Sequence, residues 1–96
     1  MRGTKLSYYD VGLLITCLHQ MKKNYNQESI DSINEILLSL LDIQDSIKPG
    51  KKKRISFDAE DVHLMRYCLV DWRNQFLREE KLGAADAIAE VLFKLV

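Results

Sequence analysis

The chain carries one proline, one tryptophan, two cysteines and four glycines in 96 residues, and each scarcity removes a class of structure. Cys17 and Cys68 sit in apolar stretches without Cys-x-x-Cys spacing, which excludes a disulfide framework and a zinc ribbon and points to a reducing environment. His63 and Cys68 are five apart and no Glu or Asp lies four residues from either His19 or His63, so no metal site and no cofactor is expected. No apolar run reaches the roughly 18 residues that a membrane span needs. The opening Met1 to Lys5 leads into a run broken by Asp10, unlike a signal peptide, and a cytoplasmic location is the expectation. Net charge is missing too: fourteen basic and fourteen acidic residues cancel, leaving no overall field to draw the chain onto nucleic acid or an anionic membrane.

What is present is a repeat. At an offset of 51, Asp10-Val11-Gly12-Leu13-Leu14-Ile15-Thr16-Cys17-Leu18 aligns with Asp61-Val62-His63-Leu64-Met65-Arg66-Tyr67-Cys68-Leu69, identical at five of nine positions. Helical periodicity accounts for matched apolar residues but not for the paired Asp and Cys, which favours duplication. Each copy opens with apolar residues spaced three and four apart, Val11, Leu14, Leu18, Met21, Tyr25 and Val62, Met65, Leu69, Trp72, Phe76, the stripe of an amphipathic helix. Ser7-x-x-Asp10 and Asp58-x-x-Asp61 mark both starts with capping chemistry, which accounts for Asp10 and Asp61 better than an acid–base pair does. A second helix follows in each copy, from Ile30 through Leu41 and, with Gly83 at the corner, from Ala84 onward; its alanines predict close packing.

Lys48-Pro49-Gly50-Lys51-Lys52-Lys53-Arg54 combines a helix breaker, a flexible residue and like charges, and reads as a solvent-exposed linker. The expectation is a single all-α domain over residues 1–96, with repeat one at about 6–47, the basic linker at 48–54 and repeat two at about 55–96. A hairpin of some 40 residues buries too little apolar surface to stand alone. Two such hairpins predict a four-helix arrangement with approximate two-fold symmetry.

No cluster of residues points to catalysis, so an enzyme is not expected and binding is the chemistry left. On the third helix Arg66, Val70, Arg73 and Leu77 share one edge, a mixture of guanidinium and aliphatic groups suited to a protein partner. The leading expectation is therefore an adaptor, inhibitor or antitoxin-like antagonist, of the size and composition common among phage and mobile-element products. The line Ile36, Leu40, Ile43, Ile47 offers a homodimer surface as another option. Nucleic acid ranks second, through Lys51, Lys52, Lys53 and Arg54, whose charge leaves the rest of the chain net acidic.

Overall fold

The computed structural model describes residues 3–95 and is mostly helical, with one small sheet. In chain order the elements are β1 (Thr4–Ser7), α1 (Tyr8–Met21), a 3-10 turn (Lys22–Asn24), α2 (Gln27–Asp45), β2 (Lys52–Ile55), α3 (Ala59–Arg78) and α4 (Leu82–Lys94). The all-α expectation thus needs one correction: the supposed linker is half strand. Only Lys48 to Lys51 forms a connection, turning with Gly50 at a φ of 81°, and Lys52 to Ile55 then pairs antiparallel with β1. Lys-Lys-Arg-Ile has little strand propensity of its own. Its backbone is ordered by a partner about fifty residues away, which no local pattern reveals.

The first helix begins where its residues dictate. Ser7 Oγ accepts from the Asp10 N–H at 3.1 Å and Asp10 Oδ2 accepts from the Ser7 N–H at 3.0 Å, closing a reciprocal cap. The second copy of that motif does not close: Asp58 precedes α3 without a side-chain cap. Asp58, Glu60 and Asp61 crowd three carboxylates into four positions there, and mutual repulsion opposes the arrangement. The break before α2 is set by Asn26, whose Oδ1 accepts from the Ser29 N–H at 2.9 Å, so this helix starts at Gln27, before Ile30. Gly83 is not the corner between α3 and α4 but lies within α4. The corner is Glu80, at a φ of 59°, with Lys81 N donating to Phe76 O at 2.8 Å and Glu80 N to Leu77 O at 3.1 Å. A left-handed conformation costs any residue with a Cβ, so Glu80→Gly is expected to stabilise the chain by about 0.5–1 kcal/mol, seen as a higher urea midpoint.

One core joins the four α-helices and the sheet. The buried faces of α1 (Val11, Leu14, Cys17, Leu18), α2 (Ile33, Ile36, Leu40), α3 (Met65, Cys68, Leu69) and α4 (Ile88, Val91) meet under Leu6 and Ile55 of the sheet. α1 packs on both α2 and α3, whereas α4 lies chiefly against α3. No helix among the described residues is long and apolar enough to cross a membrane.

Candidate functional site

Because side chains alternate across a strand, the register Thr4↔Ile55, Lys5↔Arg54, Leu6↔Lys53, Ser7↔Lys52 sorts the ribbon into two faces. Leu6 and Ile55 point into the core, and Thr4 Oγ1 on the same face donates to the Lys94 carbonyl. The other face carries Lys5, Lys52 and Arg54 with Ser7. All three cations are exposed. Lys53, at the edge of the inner face, donates through Nζ to Ser46 Oγ at 3.0 Å. Arg54 Nη1 donates to the Gly3 carbonyl at 3.0 Å, and its stem occupies the place of any side chain at position 3: a Cβ there would stand 2.5 Å from Arg54 Cγ.

The described residues include two ion pairs, Lys94 with Asp10 at 2.8 Å and Lys81 with Glu79 at 3.9 Å. Neither involves Lys5, Lys51, Lys52, Lys53 or Arg54. Lys5, Lys52 and Arg54 on the outer face, Lys51 just before β2 and Lys53 on the inner face thus form no ion pair with a carboxylate among the described residues. The ribbon is also polar end to end. Past Ser7 and Lys52 lie Tyr8, Tyr9 and Lys51, while past Ile55 the chain runs into Asp58, Glu60 and Asp61. Burial first, then the charges of Asp58, Glu60 and Glu35, raise the Asp61 carboxyl above its ordinary value.

Asp10 shows the opposite balance. Burial alone would raise it, but the hydrogen bond and charge of Lys94 and the two bonds from Ser7 outweigh burial and hold the carboxyl below 3.8. A depressed folded value means stabilisation that is full above 3.8 and lost as pH falls through the folded value. Asp10→Asn is expected to cost about 1 kcal/mol at neutral pH. The gap between variant and parent in urea midpoint should close in acid.

The third-helix edge is only partly available. Val70 and Leu77 are exposed, but Arg73 is half-buried and Arg66 Nη1 donates to the Leu95 carbonyl at 3.3 Å, which ties it to the end of α4. Beside them His63 and Tyr67 are exposed, and their rings stack edge to face with centroids 5.1 Å apart. The line proposed for a homodimer is corrected: Ile36, Leu40 and Ile47 are buried in the chain's own core and Ile43 is half-buried. On α2 it is Leu38 and Leu41 that are exposed.

Two grooves are lined chiefly by α1 and by α3. One, of about 380 Å³, runs along α1 between Tyr8, Tyr9, Gly12, Leu13, Thr16, Gln44 and Trp72. The other, of about 560 Å³, runs along α3 between Ala59, Glu60, His63, Leu64, Tyr67, Tyr25 and Ser29. Their chemistry differs at the rim, where Tyr9 edges the first and Glu60 the second.

Burial, followed by Cys68 and Asp71, pushes the Cys17 thiol far up, and burial likewise raises Cys68, so both stay protonated. Burial and a 2.8 Å bond donated to Asp71 Oδ2 raise the Tyr25 phenol. No group of three or more His, Cys, Asp or Glu among the described residues is arranged to hold a metal. Compared with protein-family models, with curated proteins and with solved structures, the chain matches none.

Proposed function

We propose that this is a non-enzymatic binding protein whose ligand is nucleic acid, held by the outer face of the β1–β2 ribbon. One observation carries the reading: Lys5 and Arg54 are direct cross-strand partners on a face shared with Lys52. Like charges placed opposite one another cost a sheet stability. A bound polyanion removes that repulsion, and backbone phosphates present negative charge at the spacing of successive nucleotides.

The test is oligonucleotide binding by fluorescence anisotropy at two salt concentrations. With about four phosphate contacts, affinity should fall about 50-fold between 50 and 200 mM salt. Replacing Lys51, Lys52 and Lys53 with Ser should make the slope of log affinity against log salt shallower by about 2. Binding that is absent, or indifferent to salt, would remove the proposal.

The same reading treats the chain as two copies of a strand–helix–helix unit related by an approximate two-fold axis. The helices align at an offset of 51, and Thr4 and Ile55, also 51 apart, are each other's cross-strand partners. Equivalent residues pair in this way where an antiparallel ribbon crosses a dyad. The grooves agree, since positions 8, 9, 12, 13 and 16 of one correspond to 59, 60, 63, 64 and 67 of the other.

A protein partner is the second reading, as an adaptor or inhibitor contacting α3. It is supported by the exposure of Tyr67, Val70 and Leu77 beside the guanidinium groups of Arg66 and Arg73. Val70→Asp combined with Leu77→Asp should then release a partner that co-purifies with the parent chain. Retention of that partner would count against α3 as the contact.

A further inference from the structure

We propose that the α1 groove is a base-stacking subsite, which makes the ligand of the ribbon an unpaired, single-stranded nucleic acid; the inference rests on the reading of the ribbon as a phosphate-binding face. β1 runs into α1 without a break, so Tyr9 follows the Ser7↔Lys52 pair by two residues, at most about 7 Å of chain. Phosphates on Lys51 and Lys52 therefore place a neighbouring base against this groove.

The groove's composition suits a planar heterocycle. Tyr8, Tyr9 and Trp72 supply three aromatic rings around it, and Tyr9 is 86% exposed, so its ring is open to stacking. Gly12 keeps the floor open, since a Cβ there would stand 3.0 Å from Gln44 Nε2. Thr16 turns its hydroxyl away from a ligand by donating to the Gly12 carbonyl at 3.0 Å. Gln44 is the adaptable polar group, its Nε2 holding only a long 3.4 Å bond to the Tyr8 carbonyl that it can exchange for the edge of a base.

Charge selects this groove over its larger counterpart on α3. There Glu60 stands where Tyr9 stands here, next to Asp58 and Asp61, and that acidic rim repels a phosphate chain. Within a duplex each base already has its faces stacked and its edge paired. Only an unpaired base can present a face to Tyr9 and Trp72.

Trp72 is the single tryptophan of the chain and lines the groove, so its emission reports occupancy directly. The experiment titrates the full chain with an oligodeoxythymidine strand, with a duplex of equal length, and with tripolyphosphate as a probe carrying phosphates and no base. The single strand should quench Trp72 and bind at least tenfold more tightly than the duplex, whereas tripolyphosphate should bind without quenching. Tyr9→Ala should weaken the single strand about tenfold or more, leave tripolyphosphate binding unchanged, and be rescued by Tyr9→Phe. Circular dichroism checks that the variants stay folded. A duplex bound as tightly as the single strand, or unmoved Trp72 emission at saturation, or a Tyr9→Ala chain equal to the parent, would overturn the groove and leave the ribbon standing. Failure of all three probes to bind would overturn the ribbon reading and the groove with it.

Discussion

Lys5→Glu is expected to leave the chain as stable as the parent or more so, while lowering its affinity for a polyanion at least tenfold. Lys5 is exposed and lies directly opposite Arg54. The substitution turns a repelling pair into an attracting one, worth about 0.5 kcal/mol across a sheet, or about 2–4 °C in melting temperature for a domain of this size. Binding moves the other way, because one phosphate contact disappears and a negative charge enters the contact face. Thermal melts and anisotropy titrations on one preparation measure both quantities. A chain that loses stability and affinity together would indicate that Lys5 supports the fold and does not face the ligand. Salt adds a check, since raising it should narrow the difference in stability between variant and parent as it screens the cross-strand charges.

Leu69→Ala is expected to be strongly destabilising. Leu69 is fully buried on α3, which packs against both α1 and α4. Truncating such a leucine removes transfer free energy and leaves a cavity, together costing about 3 kcal/mol. That is a large share of the 5–15 kcal/mol typical of a whole domain and corresponds to about 15 °C in melting temperature. Leu38→Ala provides the contrast, because Leu38 is 66% exposed on α2 and its loss should change stability by about 0.5 kcal/mol or less. One shared core also dictates the form of the transition. Helix content by circular dichroism and Trp72 emission should fall together, in the Leu69 variant as in the parent. Two separated transitions would mean that the halves hold themselves up independently.

The helices were legible because each has an amphipathic stripe, and a spacing of three and four apolar residues has few other solutions. Val11, Leu14 and Leu18 are buried as that spacing requires, as are Met65 and Leu69. The ribbon was not legible. Lys52 to Arg54 carries the letters of a solvated loop, and what makes it a strand is hydrogen bonding to Thr4 to Ser7, a contact absent from any local window. Lys5 went unremarked for the same reason, since only the fold sets it opposite Arg54. Misreadings at the helix ends came from residues with suitable side chains in unsuitable company: Asp58 and Asp61 repeat the spacing of Ser7 and Asp10 but add like charge, and Glu80 adopts the left-handed turn that Gly83 suggested. Arg66 matched a contact edge by position, yet its guanidinium is engaged by the Leu95 carbonyl, a partner that helical periodicity does not foretell. The α1 groove lay hidden because it is defined by Gln44 of α2 and Trp72 of α3 as much as by α1 itself.

The 51-residue separation of Thr4 and Ile55 sets an order of events during synthesis. Contacts so distant along the chain close late, after local helices have formed. While the ribosome is still short of Ile55, β1 has no partner, and a strand with unpaired N–H and C=O groups is an aggregation hazard. β1 limits that hazard by being four residues long and by carrying Lys5. The basic face comes into being only when the later half of the chain emerges and docks, so a nascent or truncated chain lacks the paired ribbon on which the proposed phosphate contacts depend.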